Sequence, residues 1–244
     1  MADQFNRTRR LLGSQATDRL AASHVIVFGV GGVGGYVVEA LARSGVGAID
    51  IVDNDTVSIT NINRQIIALH STVGRYKIDV MEDRIHDINP ACRVTKHAAF
   101  YLPDTKDLFD LSRYDYVVDA IDTVSGKIQL VMQAHEAGVP IICSMGAGNK
   151  INPAMFEVAD IYETQVDRLA KVMRKELRKR GITRLKVVYS KEKPMTPVSD
   201  AADGSEENRP SPASIAFAPS VAGLILASEV VKDLTGIRND DRVI

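Results

Sequence analysis

Residues 24–53, HVIVFGVGGVGGYVVEALARSGVGAIDIVD, constrain this chain more than any other stretch. An apolar run of Val25, Ile26, Val27 and Phe28 leads into a turn where Gly29, Gly31 and Gly34 fall on a G-x-G-x-x-G spacing, with Gly32 in the same turn. Val33, Val37, Val38 and Leu41 then recur at helical period up to Gly45, and a second apolar run over residues 48–52 ends in Asp53. The pattern predicts strand, glycine turn, helix, strand, with a carboxylate at the tip of the second strand. In such a unit the first glycine permits the tight turn, the second lets phosphate approach the backbone, and the third brings helix and strand together. The free N–H groups at the helix start then face an anion, and Asp53 can accept hydrogen bonds from a ribose. The turn by itself does not choose between NAD, FAD and ATP.

With 244 residues the chain can bury a full core, and one domain over 1–244 is expected, with residues 1–22 as an N-terminal arm. The 45% hydrophobic and 25% charged content belongs to an ordinary globule, and a net charge of -1 excludes no partner class. Cys92 and Cys143 stand far apart, which argues against a disulfide scaffold and against a four-cysteine zinc site. The N-terminus is polar and charged, without the apolar core of a signal peptide, so the cytoplasm is the expected location.

Alternating elements continue along the chain. A helix is expected over residues 76–88, a weaker strand over 93–98, and a strong strand over 116–121 that ends at Asp122. A helix over 127–137, a buried strand over 139–143 and a strand over 185–189 follow. This order predicts an α/β fold, Rossmann-like and doubly wound, with a mainly parallel sheet and helices on both faces. Between Asp53 and the helix at 76 lies a stretch dense in polar groups, holding Asn61, Asn63, Arg64 and Gln65, with Lys77 at the helix start. Loops at the carboxyl ends of strands are where such sheets bind ligands. Residues 168–186 are strongly basic, with Glu176 the only acid. They read either as a solvated helix face or, around Arg174, Lys175 and Arg178, as a footprint for a polyanion. Residues 193–212 have no periodicity and are expected to form a mobile loop. Residues 213–231 are apolar, but Pro219 and Glu229 interrupt them, so a buried helix is expected rather than a membrane span.

The joint spacing of the glycine turn, VDNDTVSITNINRQ, VGRYK and DAIDT resembles the ThiF/MoeB/HesA family, the prokaryotic relatives of ubiquitin-activating enzymes. FNRTRRLLG, EALARSGVG, INPACRV, MGAGNKINP and SIAFAPSVAGLILASEVVKDL bring the chain nearest to the branch that dehydrates threonylcarbamoyladenosine in tRNA. The resemblance implies ATP over Gly29, Gly31, Gly32 and Gly34, with Asp53 on the ribose. It implies Asn61, Arg64 and Lys77 on the triphosphate, and Asp122 binding Mg2+ or lying beside the α-phosphate. Arg7 matches an arginine that reaches ATP from the partner subunit, with Arg10 as the other choice, which implies a homodimer. Arg64, Lys77, Asp122 and Arg7 are thus the expected catalytic set, and tRNA is the expected partner. The alternative is adenylation of the C-terminus of a ubiquitin-like sulfur-carrier protein, with sulfur-transfer proteins as partners. The chain lacks the paired Cys-x-x-Cys zinc site of many relatives, which weakens that alternative. An NAD(P)-dependent oxidoreductase is a third reading, disfavoured because a pyrophosphate does not need so many cations.

Overall fold

The computed structural model describes residues 3–198 and 212–237. Most of the expected loop at 193–212 therefore lies outside the described residues. The N-terminal arm forms two helices, α1 (Asn6–Leu12) and α2 (Ser14–Ala22). The chain breaks at Gly13, whose backbone N–H closes α1 on the Arg9 carbonyl.

Next come β1 (His24–Phe28), α3 (Gly34–Ser44), β2 (Ala48–Val52), α4 (Lys77–Ile88) and β3 (Arg93–His97). The chain continues through β4 (Tyr116–Asp119), α5 (Val124–Ala137), β5 (Ile141–Ser144) and β6 (Phe156–Asp160). Then follow α6 (Arg168–Lys179), β7 (Lys186–Ser190) and α7 (Phe217–Thr235). The seven strands form one sheet in the order β3-β2-β1-β4-β5-β7-β6, with every pairing parallel except β6 on β7. The α/β, mainly parallel fold is as expected. The antiparallel edge strand β6 was not anticipated.

Alternation along the central strands divides the core. Val25 and Val27 point to the layer of α3, α4 and α7, while Ile26 and Phe28 point to the layer that includes α5. All four are fully buried, each contributing about 1.5–3 kcal/mol by leaving water. Helix α6 closes a third apolar cluster with Met173 and Leu177 against Val187 and Tyr189 of β7. Helix α7 carries Pro219 in its first turn, where the missing N–H has no helical partner to lose, so the proline does not interrupt the helix. Among the described residues no helix is long and apolar enough to cross a membrane.

From β1 the chain winds outward to β2 and β3, then returns to place β4 on the other side of β1. Two loops therefore leave the carboxyl ends of β1 and β4 in opposite directions, and the crevice between them is where an open α/β sheet binds ligands.

One polar cluster lies within the sheet. Asp50 of β2 accepts from Tyr114 at 2.8 Å and pairs with Nε2 of His24 at 2.7 Å and of His97 at 2.9 Å. Burial opposes ionisation of Asp50, but the hydrogen bonds from His97, His24 and Tyr114 outweigh it and hold the carboxyl well below the usual carboxylate range. A depressed folded-state pKa means that this contribution is fully present above the ordinary carboxylate value and fades as pH falls through the folded one. Asp50→Ala should cost about 3 kcal/mol, because it strands several buried donors. Thermal unfolding at neutral pH reads this directly, and the gap from the unsubstituted protein should narrow in strong acid.

Candidate nucleotide site

The glycine turn that follows β1 is defined by how closely the backbone passes itself. Gly29 has φ +87°, and a Cβ there would lie 2.8 Å from the Ala120 carbonyl oxygen. A Cβ on Gly34 would lie 1.8 Å from the Gly29 oxygen, so α3 can start only with glycine at that position. The turn is fastened on two sides. Gly29 N–H donates to the Val52 carbonyl at 2.8 Å, and Ala120 N–H donates to the Phe28 carbonyl at 2.9 Å.

Above the turn opens a cavity of about 380 Å³. Gly29, Gly31, Gly32, Asp53, Asn61, Arg64, Lys77 and Asp122 all line it, although they come from five separate segments of the chain. Gly34 does not line it, and its part is the close approach beneath.

Asp53 is nearly buried. Its Oδ2 accepts the Val30 N–H of the glycine turn at 2.7 Å, and its Oδ1 accepts the Asp55 N–H at 2.9 Å. Burial raises its carboxyl above the ordinary range, partly offset by Lys77 and these two N–H groups. Lys77, buried at the start of α4, sits 2.6 Å from Asp55 Oδ2 and 3.9 Å from Asp53 Oδ1. Its ammonium is thus presented at the cavity wall by two carboxylates.

Asn61 lies in a capping box in which its Oδ1 accepts the Ser58 N–H at 3.1 Å. Arg64 donates to the Thr60 carbonyl and to Asn63 Oδ1, both at 2.9 Å, and pairs with no carboxylate among the described residues. Burial lowers its pKa, yet a guanidinium remains charged at any physiological pH. Asn63 in turn ties the polar loop to the chain before α7, donating to the Ser214 carbonyl at 3.0 Å.

Asp122 is exposed at the cavity wall, and among the described residues its carboxylate accepts only from the Thr123 hydroxyl, at 3.5 Å. It does not cap α5: Thr123 is the N-cap there, without a side-chain cap bond.

Arg7 is not at this cavity. It is exposed on α1, and neighbouring Phe5 packs at Gly45, at the far end of α3 from the glycine turn. An 11-residue helix spans about 16 Å.

Three wall residues escaped the sequence-based site. Gln65 is buried, and its Oε1 has no hydrogen-bond partner among the described residues. It belonged to the polar stretch already noted, so the signal was there. Asp55 could have been found as a second carboxylate near Lys77. Phe100, half exposed on the loop after β3, carries no signal in the sequence.

Both thiols are buried. Burial pushes Cys92 up to about 11 and Cys143 well above its ordinary value. Cys143 is a packed core residue.

The basic helix α6 differs in detail from its sequence reading. Arg174 donates to the carbonyls of Ile161 and Thr164 and to the Thr164 hydroxyl. Arg178 stacks over the Tyr162 ring at 5.1 Å, and Lys179 and Arg180 pair with Glu176. Among the described residues, the exposed cations of α6 without a carboxylate partner are Arg168, Lys171, Lys175 and Arg178, the last lying over the Tyr162 ring. The helix begins beside the cavity: its N-cap Asp167 lies against Gly146, in the strip whose Ala147 and Gly148 form part of the wall.

A family model described as ThiF family matches residues 5–243. The chain belongs to the ThiF family. Among ThiF-family relatives, it is 46% identical over 242 residues to the tRNA threonylcarbamoyladenosine dehydratase of Bacillus subtilis (strain 168), covering 96% of this chain and 95% of that protein. The enzyme of the same name from Escherichia coli (strain K12) is 43% identical over 175 residues, covering 72% of this chain and 65% of that protein. In three dimensions the chain matches the crystal structure of E. coli tRNA N6-threonylcarbamoyladenosine dehydratase in complex with AMP. The TM-score is 0.87 at 35% identity, with 96% of this chain and 94% of that chain covered. The ATP complex of the same enzyme matches with a TM-score of 0.86 and the same identity and coverage.

Proposed function

We propose that this ThiF-family chain is an ATP-dependent dehydratase acting on threonylcarbamoyladenosine in tRNA. The observation that carries the reading is the convergence of glycine turn, Arg64, Lys77 and Asp122 on one cavity at the switch point of the sheet. Likeness to the B. subtilis dehydratase over nearly the whole of both chains supports it.

A carboxylate is a poor electrophile, because expelling oxide is prohibitive. Its oxygen attacks the α-phosphorus of ATP, pyrophosphate leaves, and the carboxyl carbon becomes an acyl-adenylate with AMP as leaving group. An atom of the threonylcarbamoyl group itself then attacks that carbon. The ring closes, AMP carries away one former carboxylate oxygen, a proton is released, and the nucleoside has lost one water. A tethered nucleophile needs little further help, since effective molarities for well-oriented internal attack are very large.

The first step brings an anion towards a polyanion, so fixed positive charge and N–H donors matter most. A single lost donor of this kind costs about 10²–10³ in rate. Arg64 and Lys77 supply the charge, the glycine-turn amides supply the dipoles, and Asp53 holds both the turn and the ribose. Of the wall carboxylates, Asp53 and Asp55 share Lys77, which leaves Asp122 for Mg2+. No cluster of three or more metal-binding side chains exists among the described residues. That fits a cation taking most of its oxygens from phosphates and water, as Mg2+ usually does; bound there, it would offset triphosphate charge.

Arg7 does not line its own cavity, so its place in the site requires a second copy of the chain. Ile59, Leu69, Val73 and Tyr76 leave large apolar surface exposed on the segment before α4, in keeping with such a homodimer. The outward cations of α6, starting at the cavity rim, suit the phosphates of a tRNA stem. An enzyme of tRNA acts where tRNA resides, in the cytoplasm.

Arg7→Ala and Lys77→Ala should each abolish AMP formation from ATP and modified tRNA while remaining folded. Mixing the two should restore activity, because one site of the mixed dimer then holds both an intact Lys77 and the partner's intact Arg7. A mixture as inactive as its components would place Arg7 outside the site. Charge reversal of Lys171 and Lys175 should weaken tRNA binding several-fold and leave ATP binding unchanged, as titration of each ligand would show. Unchanged tRNA affinity would remove α6 from the interface.

A further inference from the structure

Asp119 and Lys127 form an ion pair at 2.9 Å with neither side chain exposed at all. Such a pair is expensive: each ion costs several kcal/mol to desolvate, and apolar replacements are often as stable or more so. Its contacts suggest what it is for. Asp119 Oδ1 accepts the Ile121 N–H at 3.2 Å, and Lys127 Nζ donates to the Ile121 carbonyl at 3.0 Å. The peptide groups on both sides of Ile121 are therefore held by one buried pair. Just before them, Ala120 is fixed to β1 through the Phe28 carbonyl and presses its own oxygen under Gly29. Just after them comes Asp122, whose side chain has, among the described residues, a single long hydrogen bond from Thr123. The aim of Asp122 is thus set by its main chain and not by its own contacts.

We infer that Lys127 and Asp119 are positioning residues for Asp122, holding residues 120–122 so that its carboxylate is presented at the cavity wall for the Mg2+ role given to it above. The inference rests on the role given above to Asp122. It makes the pair part of the catalytic geometry although neither residue lines the cavity.

The test is a cycle of three variants of the full chain: Asp122→Ala, the pair replacement Lys127→Met with Asp119→Asn, and all three changes together. Asparagine can still accept the Ile121 N–H, and methionine fills the volume of the lysine stem. AMP formation is measured in single turnover with modified tRNA and ATP-Mg2+, alongside ATP binding and thermal unfolding. The pair replacement should unfold cooperatively, bind ATP within about threefold of the unsubstituted protein, and lose about 100-fold in rate, the scale of a misplaced reacting group. The triple variant should be scarcely slower than Asp122→Ala, because groups acting as one unit are not additive. A folded pair replacement with the original rate would overturn the inference, and so would losses that simply multiply. If Asp122→Ala keeps full rate, the role of Asp122 fails and the positioning role falls with it, while AMP production by the unsubstituted protein still tests the reaction itself. Should the pair replacement fail to fold, Lys127→Arg, which keeps the charge and the donors, takes its place in the same cycle, with the same non-additivity expected and multiplied losses again overturning it.

Discussion

The site depends on the contact at Gly29, where three parts of the chain approach closer than any side chain would allow. The start of α3 touches the Gly29 oxygen from one side, and the Ala120 carbonyl closes in from the other. The Asp53 carboxylate reaches back to the next amide, Val30, at 2.7 Å. Strand ends β1, β2 and β4 are thereby locked together at the crevice where the winding of the sheet reverses. A glycine turn held this rigidly needs little reorganisation when charge moves, which is the condition under which fixed dipoles are most effective.

Around that contact the electrostatics are arranged in layers. Lys77 is buried and flanked by Asp53 and Asp55, so its position is fixed before any ligand arrives. Arg64 is held by a backbone carbonyl and an amide oxygen, which orient it without neutralising it. Asp122 lines the same cavity, its carboxylate paired with no cation among the described residues. Behind the wall, the Asp119–Lys127 pair fixes the same loop without adding net charge to the site.

Much of this could be read from the sequence, and the remainder has physical reasons for being hidden. The central strands are continuous apolar runs because both faces are covered, and the glycine turn declares itself by spacing. Asp53, Asn61, Arg64, Lys77 and Asp122 were legible as a joint pattern, and the fold brings all five to one cavity. The edge strand β6 was not, since FEVAD is only partly buried and pairs antiparallel with a strand that follows it in the chain. Pro219 read as an interruption because sequence does not show that it falls in a first helical turn. Arg174 and Arg178 looked like any other cation of a basic helix, but their direction is set by the 161–164 turn packed against them. Lys127 gave no sign of burial, because a lysine in the first turn of an amphipathic helix is ordinarily solvated.

The central claim is that the cavity couples ATP cleavage at the α-phosphate to loss of water from a tRNA nucleoside. Incubating the protein with ATP-Mg2+ and tRNA that carries threonylcarbamoyladenosine, then digesting the tRNA and weighing its nucleosides by mass spectrometry, tests it most directly. The account predicts that the modified nucleoside loses one water, in step with AMP release and only when ATP is present. An unchanged nucleoside mass under conditions where the protein binds both ATP and the tRNA would contradict it.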